Sequence, residues 1–165
     1  MALDNDFPRD ADCIFCRIVA GAIPCHRLYE DERVLSFLDI GPIVRGHCLV
    51  IPKGHWVTLD QMPDAVAAAC GRVLPRLGRA VMAVVGEPGG PGGGAWNVLQ
   101  NNGKAAGQAV DHVHFHIIPK EAGGGAAGAP GAGGGLRFDW PAEELADDEA
   151  AALRAAITAA LAGEK

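Results

Sequence analysis

The sequence lacks three features that would assign its class at once. It has no apolar run approaching the roughly 20 residues that cross a bilayer. It has no excess of positive charge, since 14 Lys and Arg against 20 Asp and Glu leave a formal charge of −6 and a pI near 5.4. That disfavours electrostatic binding to nucleic acid or to an anionic membrane, while a local anion pocket remains open to it. It also lacks the basic-then-apolar start of a leader peptide, opening on the polar and acidic Met1-Ala2-Leu3-Asp4-Asn5-Asp6. The expected compartment is the cytoplasm, where five cysteines read as thiols or metal ligands before disulfides.

What is present fits one domain with a real core: 165 residues, 49% of them hydrophobic. The expected plan is a loose polar arm over 1–11, a domain over 12–121, a Gly/Ala-rich loop over 122–135, and a C-terminal extension over 136–165 with a helix packing back. Asp12 and Gly21 bracket a short helix over Cys13–Ala20. Strand-like runs cover His26–Glu30, Val34–Asp39, His47–Pro52, Trp96–Asn101 and Val110–Pro119. Residues 64–85 read as a helix that Pro75 kinks or divides, and Asp147 opens a last helix to about Leu161. Strands with segregated helices make an α+β fold with a mostly antiparallel sheet. Cys25, Cys48 and Cys70 read as small core residues, His26 as a solvated strand residue, and Trp56, Trp96 and Trp140 as packing or interface residues.

The chemistry gathers in His112-Val113-His114-Phe115-His116-Ile117-Ile118-Pro119, which holds three of the six histidines at strict alternate spacing. On extended backbone the three imidazoles share one face, about 6.6 Å apart, while Val113, Phe115 and Ile117 back them against a core. Three readings compete: a solvated surface strand, a metal site, or nucleophilic catalysis at phosphorus by a neutral imidazole. The preceding Asn101-Asn102-Gly103-Lys104-Ala105-Ala106-Gly107-Gln108 supplies glycines for close backbone approach and amides for an anion.

Gly107-Gln108-Ala109-Val110-Asp111-His112-Val113-His114-Phe115-His116-Ile117-Ile118-Pro119 resembles the signature of the histidine triad (HIT) family. Gly46-His47-Cys48-Leu49-Val50-Ile51-Pro52-Lys53, Phe37-Leu38-Asp39-Ile40 and Cys13-Ile14-Phe15-Cys16-Arg17-Ile18 resemble its other blocks, in the family's order. The likeness is greatest to the bacterial, Hint-like branch. It implies a five-stranded HIT-like fold, a homodimer, and a hydrolase or transferase acting on purine nucleotide conjugates such as nucleoside phosphoramidates. The alternatives are a dinucleoside polyphosphate hydrolase and a nucleotide-binding interaction module with weak catalysis.

Carried over by position, the resemblance makes His114 the nucleophile that attacks the α-phosphorus and forms a nucleotidyl-histidine. The His112 carbonyl accepts the Nδ1–H of His114, His116 handles the phosphate and leaving group, and His47 supports the row. Asp39 is implied to bind ribose, Ile14, Phe15, Ile18 and Ile40 the base, Gln108 and position 109 the phosphate side, and Asn101 to be a polar residue near the nucleotide. The family usually carries Ser or Thr where this chain has Ala109, so slower turnover is expected. Cys13-x-x-Cys16 lacks the βαβ setting of a redox motif, and a structural zinc needs four ligands. His55 and His112 are the candidates to complete it, and the resulting set resembles the zinc site of many bacterial members.

Overall fold

The computed structural model describes residues 7–86, 94–120 and 145–163. The Gly/Ala-rich stretch 122–135 and Trp140 lie outside these residues. Five strands, β1 (Arg27–Glu30), β2 (Val34–Leu38), β3 (Cys48–Pro52), β4 (Ala95–Gln100) and β5 (Phe115–Lys120), form one sheet in the order β1-β2-β3-β5-β4. Every neighbouring pair is antiparallel, so the α+β expectation holds. The helices are α1 (Ile14–Val19), α2 (Asp64–Val85) and α3 (Asp147–Gly163). No helix among the described residues is long and apolar enough to cross a membrane.

β2 and β3 are covered on both faces, so every residue of each is buried, Ser36 included, rather than alternating with exposed ones. Val34, Leu38, Cys48, Val50, Val113 and Ile117 pack with α2 and α3 in one buried cluster. Leu35, Phe37, Leu49 and Ile51 face the other way and pack with Phe15 and Ile18 of α1. Cys48 and Cys70 are fully buried, and burial pushes the Cys70 thiol up to about 12, so both behave as small apolar residues.

Local chemistry sets the element ends. α1 closes with Ala22 N–H donating to Arg17 O at 2.9 Å and Gly21 N–H to Ile18 O at 3.0 Å, the paired bonds of a Schellman cap. That cap needs a positive φ, which Gly21 supplies at 77°. Asp31 Oδ1 accepts the N–H groups of Arg33 and Val34 at 2.8 Å each, which fixes the β1–β2 turn.

α2 runs unbroken through Pro75. Pro75 and Gly71, whose carbonyl it would have bonded, are both exposed, so the lost bond does not leave a polar group sealed in the core. At Gly78 of the same helix, an added Cβ would stand 2.5 Å from the Trp96 ring, so this glycine is the slot that seats β4 on α2. His26 faces α3 rather than open solvent, with Nε2 3.9 Å from Asp147 Oδ1.

Two expectations need correction. The ladder of the last strand begins at Phe115, not Val110. His112 and His114 lie on the approach to it, where Val113 N–H donates at 2.7 Å to Trp56 O in a loop instead of to a neighbouring strand. The arm over 1–11 is not loose from residue 7 onward. Phe7 meets Trp56 edge-on at 5.9 Å between centroids, and Pro8 O accepts His55 N–H at 2.7 Å.

Candidate functional site: two imidazole clusters on one face

His112, His114 and His116 keep to the α1 face, as the alternation requires. Val113 and Ile117 are fully buried in the opposite cluster, with Phe115 packed against it. His116 pairs with Leu49 on one side and Leu99 on the other. Phe15 of α1 lies edge-on to both His112 and His114, with centroids 5.7 and 5.4 Å away. The row is nearly closed to water: His112, His114 and His116 are 0, 3 and 6% exposed, and His47 is 1%.

The first cluster is Cys13, Cys16, His55 and His112, whose donor atoms all lie within 4.8 Å of one another. His112 Nδ1 is 3.5 Å from Cys13 Sγ and 3.7 Å from Cys16 Sγ, and His55 Nδ1 is 3.4 Å from Cys16 Sγ. Tetrahedral zinc with ordinary Zn–S and Zn–N bonds sets sulfur and nitrogen about 3.6 Å apart. The residues therefore fit such an ion without rearrangement.

Their surroundings fit as well. His112 Nε2–H donates to Pro52 O at 3.0 Å, which leaves Nδ1 as the ligand atom. Burial pushes the Cys16 thiol above its ordinary value, a cost that a bound cation reverses by taking the thiolate. Asp10 completes this shell. Its N–H donates to Cys16 Sγ at 3.4 Å, and its carboxylate lies 3.8 Å from His55 Nε2. Gly54 makes the loop carrying His55 feasible, since a Cβ there would stand 2.4 Å from the Trp56 ring.

The second cluster is His47, His114 and His116, with Asp39 beside it. His114 Nδ1–H donates to His112 O at 2.7 Å, so its Nε2 carries the lone pair. Ile43 N–H donates to His47 Nδ1 at 3.3 Å, so His47 holds its proton on Nε2 and donates it to His116 Nδ1 at 2.9 Å. His116 in turn carries its proton on Nε2. One lone pair and one N–H are thus fixed on adjacent rings whose centroids are 4.9 Å apart. Burial keeps all of them neutral near pH 7: His47 is pushed down to about 4 and His116 to about 3, and His114 is also lowered. A neutral nucleophile beside a neutral donor is suited to a phosphoryl group.

The remaining expected residues divide. Ile40 is 75% and Ile14 40% exposed, unusual for large apolar side chains, whereas Phe15 and Ile18 are buried beneath. Asp39 is half-buried, with Oδ1 accepting Gly41 N–H at 2.9 Å and Oδ2 3.6 Å from His47 Nε2. Asn101 Nδ2 donates to Gly107 O at 3.3 Å, and Ala109 is exposed.

Gln108 departs from expectation. Its side-chain amide is committed inside the loop, donating to Val57 O at 2.6 Å and Val110 O at 2.9 Å and accepting Gly103 N–H at 2.5 Å. It ties the phosphate-side loop to the loop carrying His55 rather than offering its amide to an anion. An open depression of about 560 Å³ lies elsewhere, lined by Phe7, Arg9, Glu30, Asp31, Glu32 and Lys53. It holds no histidine, and its Lys53 and Glu30 already pair at 2.8 Å.

Fold and site together define an α+β protein that sets buried, neutral imidazoles beside a Cys₂His₂ cluster. The HIT domain family matches residues 20–123, and the chain belongs to this family. It is 43% identical over 141 residues to the adenosine 5'-monophosphoramidase of Schizosaccharomyces pombe, covering 86% of this chain and 92% of that one. It is also 43% identical over 110 residues to an adenylylsulfatase of Arabidopsis thaliana, covering 67% of this chain and 53% of that protein. Among solved structures, a zinc-bound histidine triad family protein from Mycobacterium smegmatis superposes with a TM-score of 0.70 at 35% identity, covering 92% of this chain and 94% of that one. Cys13 and Cys16 precede the matched family stretch, so the first cluster joins residues inside and outside it.

Proposed function

We propose that this chain is a nucleotide phosphoramidase, hydrolysing purine nucleoside phosphoramidates or related conjugates through a nucleotidyl-histidine on His114. The observation that carries this reading is the fixed proton pattern of the second cluster: lone pair on His114 Nε2, N–H on His116 Nε2. The relatives named as an adenosine 5'-monophosphoramidase and an adenylylsulfatase support the substrate class.

His114 Nε2 attacks the α-phosphorus, and the P–N bond to the leaving amine breaks. His116 holds its Nε2–H as a hydrogen bond to the phosphoryl and leaving-group side, and the departing nitrogen takes its proton from solvent and leaves as the amine. Water then attacks the nucleotidyl-histidine, gives up its proton to solvent and releases the nucleoside monophosphate. The imidazolium that His114 becomes is held by its Nδ1–H bond to His112 O. His47 is a positioning residue, holding His116 in the tautomer the step needs.

Asp39 takes the ribose hydroxyls, and Ile14 and Ile40 sandwich the purine above Phe15 and Ile18, which accounts for their exposure. Asn101, Ala109 and the loop backbone face the phosphate side, with Gln108 shaping that loop. Cys13, Cys16, His55 and His112 hold a structural zinc; the ion supplies a crosslink between α1, the His55 loop and the catalytic segment. The protein works in the cytoplasm as a homodimer, for which β4, an edge strand with Val98 44% exposed, offers an unpaired side.

The test is trapping by an alkaline denaturing quench, which spares the acid-labile P–N bond, during turnover of adenosine phosphoramidate, followed by mass spectrometry of the peptide carrying residues 112–116. The expected adduct is an adenylyl group on His114. Turnover with no adduct on that residue, or an adduct on His116 instead, would sink the assignment.

A further inference from the structure

The second cluster has a property that hydrolysis does not use. Asp39, His47 and His116 each offer one donor atom, and these atoms all lie within 4.8 Å of one another. We propose that these three residues form a second metal site, separate from the Cys₂His₂ cluster, which takes a zinc-class divalent cation and silences the catalytic histidines.

The geometry is near that of a bound ion. His47 Nε2 is 2.9 Å from His116 Nδ1 and 3.6 Å from Asp39 Oδ2. Tetrahedral zinc with bonds of 2.0–2.1 Å sets its nitrogen and oxygen donors about 3.3 Å apart. The imidazoles must open by roughly 0.4 Å and the carboxylate close by about 0.3 Å to meet that spacing. Two imidazoles and one carboxylate form the three-ligand set that leaves zinc a fourth, open position, and they select zinc, copper or nickel over magnesium or calcium. The buried imidazoles are reached past Asp39, whose side chain is 16% exposed.

Binding balances without net loss of a proton from the rings. The ion takes the lone pairs of His47 Nε2 and His116 Nδ1 in place of the proton they now share. The displaced proton moves to His47 Nδ1, so the Ile43 N–H that points there at 3.3 Å must turn away. That cost, with one donor fewer, makes this site weaker than the Cys₂His₂ cluster. With the ion in place, His47 no longer orients His116, and Asp39 is withdrawn from ribose. The silencing rests on the phosphoramidase reading; the binding does not.

The test uses the full chain loaded with one equivalent of zinc. Calorimetry and native mass spectrometry then follow added Zn²⁺, with Mg²⁺ as the control. A second equivalent is expected, with the Ile43 amide resonance shifting in step. Asp39→Asn, a change at a partly exposed side chain, and His47→Gln are each expected to weaken it at least tenfold while the first equivalent stays. No second equivalent, or one indifferent to both substitutions with a silent Ile43 resonance, overturns the site. Hydrolysis of adenosine phosphoramidate by the unsubstituted chain is expected to fall with the same midpoint and to return on mild chelation. A second equivalent that binds at these residues with hydrolysis undiminished overturns the silencing. A chain without hydrolysis at any zinc level refutes the phosphoramidase reading, and the binding result still decides the site.

Discussion

His112 and His114 stand two residues apart on the same side of the sheet, yet they turn opposite nitrogens to their tasks. His112 gives its Nε2–H to Pro52 O and points Nδ1 at two sulfurs. His114 gives its Nδ1–H to His112 O and keeps the lone pair on Nε2. Each ring is buried, each is neutral, and each is fixed by one backbone carbonyl. What would separate the proposed metal ligand from the proposed nucleophile is which nitrogen that carbonyl takes. The same peptide group also joins the sites, since the carbonyl that orients His114 belongs to the residue that reaches the cysteines.

The contrast is broken most severely at the nucleophile. His114→Ala is expected to lower kcat on adenosine phosphoramidate by at least ~10³-fold. Nucleoside monophosphate binding should stay within a few-fold and zinc content should not change, as equilibrium dialysis and metal analysis would report. Loss of zinc in this variant would mean that the two clusters cannot be separated.

Cys16→Ser attacks the other side. Thermal unfolding should lose its dependence on zinc, which at 100-fold over Kd is about 2.7 kcal/mol of stability. Activity should fall less than in His114→Ala, because the attacking ring keeps its carbonyl. A zinc-dependent melting curve that survives the substitution would remove Cys16 from the ligand set.

Acid probes the buried imidazoles through stability. His47 and His116 ionise near 6.5 when unfolded but only near 4 and 3 in the fold, so the unfolded chain binds more protons between those limits. Stability is complete above about pH 6.5 and is lost as pH falls from there toward 4, by up to ~1.4 kcal/mol per pH unit for each ring. The neighbouring Asp39 carboxylate tempers the slope at His116. Denaturant melts between pH 7 and 4.5 check it, and a flat profile would mean that these rings are not held neutral. The smallest effect belongs to Ala109→Ser. A hydroxyl on this exposed residue is expected to raise turnover, by up to about tenfold, with little change in Tm. An unchanged rate would show that position 109 does not reach the reacting group.

Most of this was legible in the sequence where one residue's chemistry matched its local pattern. The runs that became β2 and β3 were legible as strands, though not as strands buried on both faces, and the histidine alternation survived into the structure although the ladder starts only at Phe115. The strand boundary was hidden because extended backbone looks the same whether its partner is a strand or, as for Val113, the carbonyl of Trp56. Gln108 was read as an anion contact because its type allows it; only folding shows that its amide is already used by Val57, Val110 and Gly103. Asp10 had no signal at all, being one acid in a polar arm, yet its N–H and carboxylate both reach the Cys₂His₂ cluster. Ile14 and Ile40 would pass for core residues on hydropathy alone, and the structure shows them exposed instead.

The order of the strands has a bearing on how the molecule opens. β3 lies between β2 and β5 with both faces covered, whereas β4 has one neighbour and a largely exposed face. Amide hydrogens along Leu49–Ile51 should therefore exchange with solvent only when the whole domain unfolds, while those at the outer edge of β4 escape by local fraying. β5 is held by one strand of each kind, and the catalytic segment leads straight into it. His116 thus sits between the most enclosed strand and an edge strand of the described sheet, paired with Leu49 on one side and Leu99 on the other.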